Sequence, residues 1–284
     1  MSLATTQPLS DNWLKALCAY ADRADENLGT AEIGPMLHRV TRTSALGIVQ
    51  KLREATPGDV LGKITSFVDL GCGRGLTLAA ALSTGYVWYA YGYDINRREV
   101  DWANQRWIEP MERWHEHLRG KAHASEMNAL DFDAERHVLH HANVGDAASN
   151  DRGIDPRVEV VWIYALWSEW PLETIRHIAK RLLVEQGHHW TVLACSAPSR
   201  LRRSFDLLQL AAETVDKETG IVTVDEQLLE QLEEAYEQVN RHPVHLSGSG
   251  EAHSVYFYRH TGDEGVLFTG TTPRPEGWQG FWPH

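Results

Sequence analysis

Short apolar runs that alternate with helical stretches are the feature that most constrains the fold of this chain. Five runs read as strands between residues 60 and 200, and most are too continuously apolar to leave a face in water. They cover residues 66–70, 87–93, 122–128, 158–165 and 190–196. Strands buried on both faces and separated by helices predict an α/β fold, with a parallel sheet between two layers of helices.

The rest of the chain completes this plan. Residues 243–247 and 253–260 read as a hairpin, which predicts an antiparallel edge. The expected fold is therefore a doubly wound, mostly parallel seven-stranded sheet with a closing antiparallel hairpin and an N-terminal helical segment. Helices are predicted over 11–24, 30–38, 41–55, 76–82, 98–118 with an interruption near Pro110, 169–184, 200–213 and 225–239. We expect an N-terminal helical segment over 1–60, an α/β domain over 61–260 and a C-terminal tail over 261–284.

Composition and charge narrow the class of protein. Hydrophobic residues make up 43% of the chain and charged residues 23%, which excludes a disordered or collagen-like chain. The net charge of −12 disfavours broad contact with nucleic-acid phosphates and would attract a cationic substrate. Three scattered cysteines (Cys18, Cys72 and Cys195) argue against a disulfide framework. With no signal-like leader and no long apolar span, we expect a cytoplasmic protein without membrane contact, the nucleus being left open.

The strongest functional signal is the segment FVDLGCGRG at 67–75, followed by Asp94 at the end of the next predicted strand. Glycines at a strand-to-helix turn let a ligand approach the backbone closely, and the following helix presents free N–H groups. A carboxylate that ends the neighbouring strand can accept hydrogen bonds from two ribose hydroxyls. Together these residues predict a nucleoside site at the carboxyl edge of the sheet.

The glycine spacing distinguishes between classes of nucleotide-binding protein. A dinucleotide fingerprint read from Gly71 needs glycine or alanine where Leu76 stands, and no GxxxxGK[ST] phosphate loop is present. The segment D-L-G-C-G-R-G instead resembles motif I of the class I S-adenosylmethionine-dependent methyltransferases, with Asp94 where that family has its ribose-binding acid. The resemblance implies S-adenosylmethionine as cofactor.

Two further segments carry the resemblance. Asn128 follows the third predicted strand where the family's polar side chain meets the adenine amine, and Tyr164 lies in the segment that faces the methyl donor. The residues that the resemblance assigns to cofactor binding are Asp69, Gly71, Cys72, Gly73, Gly75, Asp94, Asn128 and Tyr164. A fainter resemblance links 66–82 to the non-SET histone-lysine methyltransferases. Tyr164-Ala165 stands where that family has an Asn-rich segment, so histone specificity is not carried over.

The acceptor side of the site has no fixed motif. Methyl transfer is an in-line displacement that mainly requires alignment and exclusion of water, and it needs a base only when the acceptor arrives protonated. The candidate catalytic residues are Tyr164, Trp167 and Glu169. With Trp162 and Trp170, the aromatic members would form a wall for an ammonium group, or would fill the core. We expect an amine acceptor, in a protein lysine or a small molecule.

Several features are assigned structural roles. Trp102, Trp107 and Trp114 lie at helical spacings and are expected to pack in the core. The apolar stripe of the 225–239 helix suits packing on the sheet or a homodimer contact. No metal site is predicted, because no HExxH helix exists. Surface or capping roles are expected for the clustered histidines His137, His140, His141, His188 and His189.

Two other functions stay open at this point. A catalytically inactive methyltransferase-like subunit or cofactor sensor would keep the glycine loop and lack an acceptor motif. An NAD-dependent oxidoreductase would share the strand-loop-helix plan, although the glycine pattern disfavours it.

Overall fold

Ten strands and a set of short helices are described in the computed structural model, which covers residues 39–134, 137, 160–165, 170–187, 190–197, 205–247 and 252–261. The strands are β1 (Arg39–Val40), β2 (Thr65–Leu70), β3 (Tyr89–Asp94), β4 (Ala122–Glu126), β5 (Val160–Ala165), β6 (Val192–Ser196), β7 (Glu213–Val215), β8 (Val222–Val224), β9 (Tyr236–Ser247) and β10 (Ala252–His260). The helices are α1 (Arg42–Ala55), α2 (Leu76–Ser83), α3 (Arg97–Ala103), α4 (Glu109–Trp114), α5 (Leu172–Lys180), α6 (Leu207–Ala212) and α7 (Glu226–Ala235). A π-helical turn at Asn104–Ile108 joins α3 to α4, and another at Arg181–Glu185 extends α5.

The main sheet has the order β4-β3-β2-β5-β6-β10-β9-β1 within the described residues. The strands from β4 to β6 are parallel, and β10 runs antiparallel to both β6 and β9. The predicted doubly wound sheet with an antiparallel hairpin is therefore confirmed, with β1 as an additional two-residue edge strand. The chain leaves β2 towards β3 on one side and later reaches β5 on the other. The carboxyl ends of β2 and β5 thus form a switch point, where open α/β sheets bind their ligands.

Two hydrophobic cores cover the two faces of the sheet. Because side chains alternate along a strand, Phe67 and Trp162 face the core built with α1 to α4. Their neighbours Val68 and Ile163 face the core built with α5 to α7. All six residues of β2 and of β5 are buried, which explains why both strands carry apolar residues on both faces.

The N-terminal segment contributes a helix to the first of these cores. Thr41 caps α1, since its hydroxyl accepts a hydrogen bond from the Ser44 N–H, and Ile48 and Leu52 are fully buried. The helix predicted over 41–55 is confirmed. The helices predicted over 11–24 and 30–38 lie outside the described residues, as does the tail 262–284. The domain boundaries at 60 and 260 stay predictions.

The helix predicted over 225–239 ends earlier than its pattern indicates. Helix α7 stops at Ala235, and Tyr236 begins β9 by pairing with His260 of β10. The ring of Tyr236 stacks on Trp190 with centroids 5.4 Å apart, and its hydroxyl donates to the Leu183 carbonyl. These tertiary contacts override the helical periodicity, so the prediction was wrong for 236–239.

The segment after α6 also differs from its prediction. Among the described residues, the helix expected over 200–213 covers only Leu207–Ala212 (α6). Residues 213–224 form the hairpin β7–β8. Its turn is set by Asp216, whose carboxylate accepts from the Glu218 and Thr219 N–H groups, and by Gly220 at φ 69°. The two strands are three residues each, too short for a period-two signal.

The described part of the chain contains no helix with the length and apolar character needed to cross a lipid bilayer.

Candidate active site

The glycine loop at 71–75 lies between the end of β2 and the start of α2, as predicted. Gly71, Gly73 and Gly75 have φ values of 87°, 50° and 74°, which side-chain-bearing residues rarely adopt. The N–H groups of Gly71 and Cys72 both donate to the Tyr93 carbonyl, at 2.7 and 3.1 Å. The loop is therefore held against the end of β3.

Asp94 meets the glycine loop directly. Its Oδ2 accepts a hydrogen bond of 2.8 Å from the Gly73 N–H, and its Oδ1 accepts one of 2.8 Å from the Asn96 N–H. Asn96 is the residue that caps α3, since its own side chain accepts from the Arg98 N–H. The structure thus brings together the loop and the carboxylate that the sequence analysis paired, and it orients the carboxylate by two backbone donors.

The middle of the loop is open, and its two ends are covered by indole rings. A Cβ added to Gly73 would meet no described atom within 4 Å. A Cβ on Gly71 would lie 3.2 Å from the ring of Trp170, and one on Gly75 would lie 2.9 Å from Nε1 of Trp107. The space above Gly73, beside Asp94, is where a ligand can approach the backbone.

Trp107 supports the loop from the side of α3 and α4. It is fully buried, as predicted, and its indole N–H donates to the Arg74 carbonyl at 3.0 Å. The Arg74 side chain pairs with Glu99 (Nε to Oε2, 3.0 Å) and lies over the Trp102 ring. Sequence reasoning missed this support. The arginine inside the glycine loop was the available signal, but its partner lies 25 residues away.

Asp69 lies under the loop, on β2. It is 2% exposed, and the Thr77 hydroxyl donates to its Oδ2. Its Oδ1 has no hydrogen-bond partner among the described residues, and neither has the hydroxyl of Tyr164, which stands opposite Asp69 on β5. Burial raises the pKa of Asp69 to about 7, with a further contribution from the charge of Asp94. Two buried polar atoms without partners therefore lie next to the switch point, as expected at a site that takes a polar ligand.

The raised pKa of Asp69 predicts a pH-dependent stability. A carboxyl group whose pKa rises from 3.8 to about 7 on folding binds its proton more tightly in the folded state. Its stabilising contribution is complete below about pH 4 and is lost as the pH rises through about 7. An asparagine side chain at this position would resemble the protonated acid, so Asp69→Asn should raise the free energy of unfolding at about pH 8 by up to about 4 kcal/mol. At about pH 4 the two proteins should be equally stable.

Urea denaturation of both proteins at the two pH values measures this difference. Asp59→Asn, at an exposed aspartate before β2, is the matched control and should change little at either pH. The interpretation of Asp69 would be wrong if Asp69→Asn and the wild type lost the same stability between the two pH values.

Asn128 lies at the same edge, just after β4. The Met127 N–H donates to the Asp94 carbonyl at 3.0 Å, so the two predicted cofactor residues belong to neighbouring strand ends. The Asn128 side chain caps a short 3₁₀ turn, since its oxygen accepts from the Leu130 N–H at 3.0 Å. Its role towards a ligand stays a prediction.

The candidate acceptor residues are only partly described. Tyr164 is buried on the face that also carries Asp69, whereas Trp167 and Glu169 lie outside the described residues. Trp170 lies beside Gly71, at the expected edge. Trp162 does not lie at this edge. It is buried in the core, and its indole N–H donates to the Thr56 hydroxyl at 2.9 Å. The alternative in which Trp162 fills the core is the observed one.

Among the clustered histidines, the structure describes only His137. Its ring is 4% exposed and lies between the Ser66 hydroxyl (3.0 Å) and the Tyr93 hydroxyl (3.3 Å). The predicted surface or capping role was therefore wrong for His137, because two hydroxyl groups of the sheet satisfy its nitrogens in the interior. His140, His141, His188 and His189 lie outside the described residues. No group of three histidine, cysteine or acidic side chains that could hold a metal ion occurs in the described segments.

Comparisons with known proteins give weak matches. No family model matches the chain, and no curated protein matches it. Among solved structures it is similar to the N-methyltransferase NodS from Bradyrhizobium japonicum WM9 in complex with S-adenosyl-L-homocysteine, at 13% identity and a TM-score of 0.40, over 89% of this chain and 100% of that one. It is also similar to magnesium protoporphyrin IX methyltransferase (ChlM) from Synechocystis PCC 6803 with bound SAM, at 12% identity and a TM-score of 0.41, over 89% and 99% of the two chains.

A third similar structure is TrmK of M. capricolum in complex with S-adenosyl-homocysteine, at 12% identity and a TM-score of 0.40, over 75% of this chain and 68% of that one. Similarity this weak decides nothing about the present chain. Its strand order, its glycine loop and the carboxylate beside that loop are the features on which an assignment can rest.

Proposed function

We propose that this chain is an S-adenosylmethionine-dependent methyltransferase that transfers a methyl group to an amine, in a protein lysine or a small molecule, or to another nucleophile. The observation that carries the proposal is the open backbone at Gly73, in hydrogen-bond contact with Asp94 at the switch point of the sheet. A nucleoside ligand needs this combination of close backbone approach and an oriented carboxylate.

The residues present fit such a cofactor. Each oxygen of Asp94 accepts one backbone hydrogen bond and keeps a second acceptor position, so the carboxylate can still receive the two ribose hydroxyls. Gly71, Cys72 and Gly75 shape the loop around Gly73. Asn128 would meet the adenine, and the unpartnered Oδ1 of Asp69 would accept from a donor of the ligand or from water.

The bound cofactor would supply an electrophilic methyl group for in-line displacement. The chain's own residues then have to align the acceptor and exclude water. Burial raises the pKa of Tyr164 well above its usual range, so its hydroxyl stays protonated and can donate a hydrogen bond but cannot act as a base. We expect Glu169 to orient the acceptor amine and Trp167 to attract it by a cation–π interaction.

The net charge supports the proposed amine substrate, and the cysteines support the proposed cytoplasmic compartment. A net charge of −12 favours approach of a cationic amine, whether it belongs to a protein or to a small molecule. Cys72 and Cys195 are buried free thiols, which accord with a reducing cytoplasmic compartment.

A thermal-shift titration with S-adenosylmethionine, S-adenosylhomocysteine and NAD tests the proposal. A ligand at about 100 times its dissociation constant stabilises the folded state by about 2.7 kcal/mol, which such a titration detects. We expect both adenosyl compounds to stabilise the protein and NAD to have no effect. Transfer of a labelled methyl group to amine acceptors then separates an enzyme from a cofactor-binding subunit. A response to NAD alone would contradict the proposal.

Removing the Asp94 carboxylate should weaken cofactor binding. Asp94→Ala removes a charged hydrogen-bond acceptor, a loss of about 1.5–3 kcal/mol in binding free energy, and we expect affinity for S-adenosylhomocysteine to fall by about 10- to 150-fold. Asp94→Asn, which keeps one acceptor oxygen, should lose less. Titration calorimetry measures both. Asp101→Ala, which removes an exposed carboxylate of α3, is the control and should bind normally. Equal affinity for Asp94→Ala and the wild type would contradict the ribose assignment.

A further inference from the structure

A pocket separate from the glycine loop lies at the amino ends of the parallel strands, whereas the loop lies at their carboxyl ends. The pocket has a volume of about 150 Å³ and is formed where α1 ends and where the turns before β2 and β3 begin. Thr65 is the first residue of β2 and Trp88 directly precedes β3, so the pocket opens at the amino ends of these strands. The six residues of β2 separate it from the glycine loop by roughly 20 Å.

Aromatic side chains form much of its wall. Tyr86, Trp88 and Trp162 all line the pocket. The polar atoms at its buried end are already paired, because the Trp162 indole N–H donates to Thr56 and the Thr56 hydroxyl donates to the Leu52 carbonyl. A flat apolar group can therefore contact these rings without leaving a buried polar atom unpaired.

The two charged residues that line the pocket are positive. Arg53 and Lys63 line it, and no acidic residue is among the described lining residues. The Arg53 guanidinium lies 4.0 Å from the centroid of the Tyr86 ring and has no carboxylate partner in the described segments. The neighbouring acid Glu54 pairs with Lys51 instead. This local positive charge is notable in a chain with a net charge of −12.

We infer that this pocket is a second binding site, which takes a single aromatic ring that carries a carboxylate. A cavity of about 150 Å³ is large enough for one benzene ring. An arginine stacked on an aromatic ring has already lost part of its side-chain conformational freedom. The N–H groups at the edge of its guanidinium can still donate two hydrogen bonds to a carboxylate. Lys63 adds a second cation on the rim. Neither the proposed cofactor nor the methyl acceptor is needed for this inference.

Benzoate is the probe that tests it, with indole N–H resonances of the full-length protein as the readout. Trp88 and Trp162 line the pocket, whereas Trp107 and Trp170 flank the glycine loop, so the four indoles report on the two sites separately. We expect benzoate to shift Trp88 and Trp162 saturably and to leave Trp107 and Trp170 in place. Benzyl alcohol, which lacks the charge, and acetate, which lacks the ring, should each bind at least about tenfold more weakly.

Two charge-matched variants complete the test. Arg53→Gln should weaken benzoate binding by about tenfold, since it removes the charged hydrogen-bond donors. Lys217→Gln, at an exposed residue of the β7–β8 turn, changes the net charge equally but does not line the pocket, and it should bind benzoate like the wild type. Absence of a saturable shift at Trp88 and Trp162, equal binding of benzyl alcohol, or unchanged binding by Arg53→Gln would each overturn the inference.

Discussion

Replacing Gly73 with valine should abolish binding of S-adenosylmethionine while the protein still folds. The added side chain projects from the middle of the loop into space that no described atom occupies within 4 Å of the Cβ position. It therefore meets the ligand rather than the protein. We expect affinity for S-adenosylmethionine and S-adenosylhomocysteine to fall by more than about 100-fold, which corresponds to roughly 2.7 kcal/mol.

The backbone strain of this substitution needs its own control. Gly73 has a φ of 50°, where a side chain costs about 1–2 kcal/mol. Gly220 has a φ of 69° in the β7–β8 turn, and a Cβ there also meets no described atom within 4 Å. Gly220→Val should show a similar loss of stability with normal cofactor binding. Calorimetric titration and urea denaturation of both variants measure the two effects. A folded Gly73→Val protein that binds like the wild type would refute the close approach of a ligand to the loop.

Truncating Trp107 should cause the largest loss of stability among the substitutions considered. The side chain is fully buried between the helices and the glycine loop, and its N–H bonds the Arg74 carbonyl. Trp107→Ala removes this bond and leaves a large cavity, so we expect the free energy of unfolding to fall by about 3–5 kcal/mol. Urea denaturation, with an unchanged denaturant slope as the sign of two-state unfolding, measures the loss.

A conservative variant separates the hydrogen bond from the packing. Trp107→Phe keeps an aromatic ring but cannot donate to Arg74, and it should lose less stability than the alanine variant. Trp102 is only half-buried under the Arg74 side chain, so Trp102→Ala should also cost less. If Trp107→Ala lost under about 1 kcal/mol, the indole could not be the main support of the loop.

The strands could be predicted because the pattern of apolar residues within each short segment already indicates which faces are buried. The runs at 66–70 and 158–165 carry apolar residues on both faces since both faces of β2 and β5 are covered, and their predicted ends fall close to the observed ones. The glycine loop could be predicted for a similar reason. Three positive φ values require glycine at 71, 73 and 75 whatever packs around them.

Other elements could not be predicted from the same kind of pattern. The apolar stripe of α7 continues through Tyr236, yet stacking on Trp190 and pairing with His260 place Tyr236 in a strand. His137 lies in a polar stretch that reads as surface, and only the folded chain brings Ser66 and Tyr93 to its ring. In both places a contact with a residue distant in sequence outweighs the local preference.

The sequence by itself determined which segments are buried strands, where the glycine loop turns, and which carboxylate ends the neighbouring strand. These properties depend on periodicity and backbone conformation over a few residues. Only the tertiary structure decided that Trp107 and Arg74 support the loop. It also decided that Oδ1 of Asp69 and the hydroxyl of Tyr164, on neighbouring strands, have no hydrogen-bond partner among the described residues, and that Arg53 stacks on Tyr86 beside the pocket at the amino ends of the strands. Those contacts join residues far apart along the chain, and they form only when the sheet order and the packing of its two faces bring the side chains together.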